Sequence, residues 1–156
     1  MENVGMSVKG VEYVIDRLKT ALSSEYFAYH MYRSAYFKLR DPRRSAVVEE
    51  LLEHSKEELE HADEIEKRIQ VLGGLTFNDP TEWDVWANYD IPSIVGSDFG
   101  DIVKVIASSE DDAVRMYTDM YNDLAEDPVT QDIILRILQK EQEHVYDVKY
   151  NIKGSM

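Results

Sequence analysis

Four stretches of this chain carry apolar residues at helical spacing, and each has a glutamate in the middle of its apolar stripe. Steps of three, four, seven and eleven residues stay on one face of a helix. By that rule Glu25 sits among Val14, Leu18, Ala21, Leu22, Ala28, Tyr29, Tyr32 and Tyr36. Glu58 sits among Val47, Leu51, Ala62, Ile65 and Ile69, with His54 and His61 one turn to either side. Glu110 lies among Val103, Ile106, Ala107, Ala113, Val114, Tyr117, Tyr121 and Leu124. Glu141 lies among Ile134, Ile137, Leu138, Val145, Val148 and Ile152, with His144 one turn on. An unpaired carboxylate inside a core costs several kcal/mol or takes up a proton, and four of them would defeat a bundle. Two divalent cations carry the positive charge that four glutamates require. Carboxylate oxygen with imidazole nitrogen suits iron or manganese better than soft, thiolate-seeking ions.

Proline and glycine mark where these helices stop. The first is expected from about Val11 to Leu39, ending at Asp41-Pro42, where Asp can cap a new helix and Pro suits its first turn. The second runs to about Leu72, closed by Gly73-Gly74. A connection from Leu75 to about Phe99 holds Asp79-Pro80, Trp83, Trp86, Ile91-Pro92 and Gly96, which predicts one short helical turn in an otherwise extended crossover. The third helix spans about Asp101 to Leu124, and Asp127-Pro128 starts a fourth that continues to about Ile152. Short links make the first two helices one antiparallel hairpin and the last two another. The second helix is about 45 Å long at its usual rise, and a link this long can travel the whole bundle. The expected fold is therefore all-α, an antiparallel four-helix bundle with one long crossover between helices two and three. Residues 1–156 make one domain of ordinary size.

The polar residues also repeat. Tyr32 follows Glu25 by seven positions and Tyr117 follows Glu110 by seven; Glu58-x-x-His61 is echoed by Glu141-x-x-His144. Each half thus offers one single glutamate and one Glu-x-x-His, so pseudo-twofold symmetry is expected, with one metal served mainly by each half. Two single glutamates with two Glu-x-x-His motifs form the ligand set of ferritin-like carboxylate bundles. The segments Leu22-Ser-Ser-Glu25, Glu58-Leu-Glu-His61-Ala-Asp and Ile137-Leu-Gln-Lys-Glu141-Gln-Glu-His144 resemble their counterparts in bacterioferritin and the Dps-like ferritins. The resemblance covers roughly residues 11 to 152, apart from the crossover. It implies that Glu58 and Glu141 bridge two metals, that Glu25 and Glu110 are terminal ligands, and that His61 and His144 bind one iron each. Bacterioferritin places a haem-ligating methionine directly after the second-helix glutamate, where this chain has Leu59, so no haem is expected. Only twelve residues follow His144, which leaves no fifth helix, and a twelve-subunit shell of the Dps-like kind is the expectation.

The resemblance implies a ferroxidase: two ferrous ions bind, dioxygen or hydrogen peroxide takes two electrons from the pair, and ferric product is sequestered in a cage. A di-manganese catalase or a rubrerythrin-like peroxidase is the alternative on the same ligands. A non-catalytic helical interaction protein, its seam acids exposed or protonated, is the alternative of another class. The absence of cysteine excludes disulfides, thiolate metal sites and iron–sulfur clusters. A formal charge of -14 disfavours nucleic-acid and anionic-membrane partners, and the terminal segments offer only Lys9 and Lys153, so no DNA binding is expected. No signal-like segment or membrane-length apolar run is seen, which makes the cytoplasm the expected location. Tyr32 and Tyr117 either hydrogen-bond the bridging carboxylates, lend electrons or are ordinary core residues. His54 reads as a supporting histidine beside the ligands, and His30 has no role. Glu50, Glu53, Glu57, Glu60 and Glu64 read first as a solvated face, with mineral nucleation as the alternative. Trp83 and Trp86 either hold down the crossover or pack on a neighbouring subunit.

Overall fold

The computed structural model describes residues 10–90 and 92–152; Lys9, Ile91 and Lys153 lie outside the described residues. The described chain forms α1 (Gly10–Lys38), α2 (Arg44–Val71), a short α3 (Glu82–Trp86), α4 (Phe99–Asp123) and α5 (Pro128–Asp147), and it ends in a π-helical turn over Val148–Ile152. The four long helices are those the periodicity predicts, and α3 is the short turn expected in the crossover.

Helix ends follow local chemistry. Asp127 caps α5 by accepting from Thr130 N at 3.1 Å, and Pro128 occupies the first turn. Asp98 caps α4 in the same way, accepting from Asp101 N at 3.0 Å, so this helix begins slightly before the expected Asp101. Asp41 does not sit at the start of α2. It accepts from the backbone of Arg43 at 2.9 Å in a tight turn through Pro42, and α2 begins at Arg44. The end of α2 is a Schellman motif: Gly73 takes φ 84°, its N–H donates to Gln70 O at 3.0 Å, and Gly74 N donates to Ile69 O at 2.9 Å. A Cβ on Gly74 would come within 2.9 Å of Ile69 and 3.0 Å of Ile15, so the close passage of α1 past this turn needs glycine there as well.

Two apolar clusters give the topology. One joins the first half of α1 (Val14, Leu18, Leu22) to the second half of α2 (Ala62, Ile65, Ile69), the end of α4 (Met116, Met120) and the start of α5 (Ile134, Ile137). The other joins the end of α1 (Met31, Ala35, Leu39) to the start of α2 (Val47, Leu51), the start of α4 (Phe99, Ile102, Ile106) and Val148 and Ile152. Hence α1 is antiparallel to α2, α4 is antiparallel to α5, and α2 runs parallel to α4. That parallel pair is what the long crossover makes.

The tryptophans hold the crossover down. Trp83 stacks on Tyr26 of α1 with ring centroids 5.1 Å apart and meets Phe27 edge-on at 5.6 Å, while Lys19 lies 5.0 Å over the Trp86 ring. Ser23 Oγ donates to Trp83 O at 2.6 Å. Further along, Arg40 N donates to Ser97 O at 3.2 Å and Lys38 Nζ donates to Ile94 O, so the strand-like stretch returns to the opposite end of α1.

Candidate metal centre

Between the two apolar clusters lies a layer of charge. Glu25 comes from α1, Glu58 and His61 from α2, Glu110 from α4, and Glu141 and His144 from α5; none is more than 6 % exposed. All six predicted residues therefore meet in one buried place. His61 Nδ1 lies 3.3 Å from Glu25 Oε2, 3.4 Å from Glu58 Oε2 and 3.2 Å from Glu141 Oε1. His144 Nδ1 lies 3.1 Å from Glu58 Oε1, 3.7 Å from Glu110 Oε2 and 3.8 Å from Glu141 Oε2.

These atoms fall into two four-donor groups, Glu25–Glu58–His61–Glu141 and Glu58–Glu110–Glu141–His144, each with its donor atoms within 4.8 Å of one another. Glu58 and Glu141 belong to both groups, and each group takes its single glutamate and its histidine from one half of the chain. Each of the six residues also has a buried side-chain atom without a hydrogen-bond partner: Glu25 Oε2, both Glu58 oxygens, His61 Nδ1, Glu110 Oε2, Glu141 Oε1 and His144 Nδ1. Orphaned buried polar atoms are rare in native cores. Here they converge, which fits a pair of cations bound by oxygen and nitrogen.

Charge in the layer is redistributed in the way such crowding demands. Burial, aided by the Glu58 charge, pushes the Glu25 carboxyl up to about 8. Burial and the neighbouring Glu58 and Glu25 charges hold Glu141 well above its ordinary range. Glu58 goes the other way: burial opposes its charge, but the His144 and His61 rings overcome that and keep it well below the carboxylate range. Both histidines are raised, because the surrounding carboxylates outweigh the burial that would neutralise them. Protons thus occupy the role that cations can fill.

The tyrosines bond differently from expectation. Tyr32 donates to Glu110 and Tyr117 donates to Glu25, so the phenols orient the single glutamates and not Glu58 or Glu141. Both rings are fully buried. His54 is a buried neighbour of the layer, with Nδ1 3.0 Å from Tyr32 Oη and its ring stacked 4.1 Å from that of His144. His30 is exposed, away from the layer.

Two residues that contribute here carry no helical signal. Glu57 accepts from His144 Nε2 at 2.7 Å, leaving Nδ1 to face the layer, an arrangement that fixes the tautomer and orientation of a metal-binding histidine. It lies off the apolar stripe, and within the acidic face only its i−1 place beside Glu58 distinguishes it. Tyr89 reaches in from the crossover and shares a 2.5 Å hydrogen bond with Ser24, next to Glu25. Burial and the nearby Glu141, Glu25 and Glu110 charges raise its phenol far above the usual range. Outside the layer, a groove of about 560 Å³ between α2 and α5 reaches His61, lined by Glu60, Glu64, Arg136 and Lys140 among others.

Bundle, crossover and buried carboxylate–imidazole layer together define a class of helical proteins with potential metal ligands at their centre. The sequence model of the Ferritin family, described as a ferritin-like domain, matches residues 15–153, and the chain belongs to that family. Among solved structures, a bacterioferritin-related protein from Bacteroides fragilis, described as a dodecameric thioferritin, superposes with a TM-score of 0.87 at 32% identity. The match covers 93% of this chain and 87% of that one. A Dps from Mycobacterium smegmatis superposes at 0.85 with 18% identity, covering 90% of this chain and 98% of its own. DpsC from Streptomyces coelicolor does so at 0.87 with 18% identity, covering 96% and 88%; these two likenesses are of fold. A curated protein of Kitasatospora aureofaciens, itself uncharacterized, is 29% identical over 77 residues, and the chain spans about half (51%) of its length. No helix among the described residues is long and apolar enough to cross a membrane.

Proposed function

We propose that this chain is a ferroxidase that oxidises ferrous iron at the six-residue layer and stores the ferric product in a shell of identical subunits. The observation that carries this reading is the pair of four-donor groups sharing Glu58 and Glu141, with unpartnered buried atoms aimed between them. Glu25 and His61 would hold one substrate ion and Glu110 and His144 the other, with Glu58 and Glu141 between them. Two ferrous ions give up one electron each; hydrogen peroxide with two protons is thereby reduced to two waters, or dioxygen with two protons to hydrogen peroxide. The chain's part is to hold both ions close enough for one oxidant to take both electrons. Tyr32 and Tyr117 fix the carboxylates that meet the ions, and Glu57 keeps His144 turned inward. The two apolar clusters exclude water from above and below the layer.

Family membership and the likeness to a dodecameric relative support a twelve-subunit cage; a cytoplasmic location and a part in limiting oxidative damage belong to the same reading, since a pair of ferrous ions that reduces peroxide to water in one two-electron step releases no hydroxyl radical. Leu59 in place of a haem-ligating methionine and the formal charge of -14 support a reading without haem and without a nucleic-acid or membrane partner. Manganese on the same donors, as in a catalase, is the rival chemistry. The deciding experiment is anaerobic ferrous loading followed by stopped-flow oxidation with each oxidant, on the natural chain and on Glu58→Ala. Fast two-electron oxidation lost in the variant is the expected result; equal rates in both would sink the centre. Rapid peroxide disproportionation by the manganese-loaded chain, with slow iron oxidation, would favour the catalase.

A further inference from the structure

His54 is 1 % exposed, and it lies outside the six-residue layer, one turn along α2 from Glu58. Its Nδ1 stands 3.0 Å from Tyr32 Oη. Tyr32 has a single proton and directs it to Glu110, so toward His54 its oxygen can only accept, and Nδ1 must carry a hydrogen. The second ring nitrogen, Nε2, points between two carboxylates: Asp147 Oδ2 at 3.3 Å and Glu50 Oε2 at 3.9 Å. With the hydrogen on Nδ1, a neutral ring turns a lone pair toward two anionic oxygens. That arrangement is repulsive unless a cation sits among the three atoms.

We propose that His54 Nε2, Asp147 and Glu50 form a third site for a divalent first-row transition-metal ion, beside the layer and separate from it. The three donors lie within 4.8 Å of one another. Nitrogen and oxygen ligands roughly 2.0–2.2 Å from such an ion stand about 3 to 4 Å apart, as His54 Nε2 does from Asp147 Oδ2 at 3.3 Å and from Glu50 Oε2 at 3.9 Å. Two of the three donors are held in place. The His54 ring stacks on His144 at 4.1 Å and meets Tyr32 edge-on at 5.1 Å, while Asn151 Nδ2 donates to the other Asp147 oxygen at 2.6 Å. One side stays open to water, which can complete the coordination, because the side chains of Glu50 and Asp147 are 36% and 28% exposed. One imidazole with two carboxylates is a donor set for iron, manganese, cobalt or zinc, and not for a soft ion. The inference goes beyond the ferroxidase reading, since it needs only the Tyr32–Glu110 hydrogen bond and these three donors.

Zinc, which has no redox chemistry to confuse the result, is the probe. Crystals of the full chain soaked in zinc, with diffraction recorded on both sides of the zinc absorption edge, are expected to show anomalous peaks in the layer and one more beside His54 Nε2. Asp147→Asn should lose that last peak and keep those in the layer, and equilibrium dialysis should find one zinc fewer per chain. Glu58→Ala should do the reverse, losing the layer peaks and keeping the one at His54, which separates the two readings. Peaks in the layer with none at His54 would overturn the third site. A His54 peak untouched by Asp147→Asn would overturn it too.

Discussion

Tyr117 on α4 donates its phenolic hydrogen to Glu25 on α1, 92 positions earlier in the chain. The mirror contact runs from Tyr32 on α1 to Glu110 on α4, across 78 positions. Each half of the repeat therefore supplies the hydroxyl that orients the other half's single glutamate. The spacing of seven between each glutamate and its tyrosine places both on one helix face, but the hydrogen bond crosses to the facing helix. Neither half can arrange its own carboxylate alone.

Replacing Tyr117 by Phe removes this donor and leaves a buried carboxylate oxygen unpaired. The expected cost is about 1–3 kcal/mol in the metal-free protein, read from urea denaturation, and Tyr32→Phe should match it. Zinc loading should restore most of the loss, since an ion can take over the carboxylate. A change below measurement error in both variants would mean that the phenols are mere filler.

Glu57 is the carboxylate behind His144, with Oε2 2.7 Å from Nε2. Glu57→Gln keeps the shape and changes the charge. Partners of this kind are worth about 10–100-fold in metal affinity, so competition with a chelator should show a loss in that range. An unaltered affinity would assign Glu57 to the solvated face.

Stability of the metal-free protein should fall as pH rises. Glu25 is raised from 4.5 to about 8, so across that interval the folded state holds more protons than the unfolded one, and stability declines with pH. Glu141 is raised likewise, and the two raised histidines add the same sign above their ordinary 6.5. Glu58, held below 4.5, has the opposite sign, but its contribution is complete once pH exceeds that value. Thermal melts from about pH 4.5 to 8 should therefore fall for chelated protein and not for zinc-loaded protein, in which the ions replace the protons. Parallel curves would show that the layer does not bind cations in exchange for protons.

A further prediction lies away from the layer. Asp127 caps α5 through Thr130 and also pairs with Arg68 of α2 at 3.2 Å, with side-chain exposures of only 4% and 12%. Asp127→Ala removes the cap and the counter-charge of a mostly buried guanidinium, which keeps only its hydrogen bond to Thr130 Oγ1 at 2.8 Å. The expected loss is about 3–5 kcal/mol in chemical denaturation, larger than a cap alone would give. A loss near 1 kcal/mol would mean that Arg68 finds water instead.

The convergence of Glu25, Glu58, His61, Glu110, Glu141 and His144 was legible because each lies on a stripe whose apolar members pack inward, and burial of the stripe carries the acid with it. The parallel arrangement of α2 and α4 followed from the length of the crossover. What stayed hidden depended on contacts between helices or within loops. The tyrosine partners needed the facing helix, and Tyr89 sits in a segment with no periodicity. Glu57 looked like one solvated acid among five, yet it serves the buried ring of His144. Asp41 showed a cap signal, but its bond to Arg43 closes a turn first and delays the helix to Arg44.

The two apolar clusters meet only at a waist of ionisable side chains, so the bundle is weakest at its middle and not at its ends. Without ions, the layer is joined by the two tyrosine–glutamate hydrogen bonds, the imidazole–carboxylate pairs and shared protons, set against the repulsion of four carboxylates. Metal loading then works as a keystone, tightening four helices at once from a single point. In the metal-free chain, amide exchange should accordingly begin in the turns around Glu58 and Glu141 and spread outward, the reverse of ordinary fraying. The supply of metal would thus set how firmly the four helices are closed.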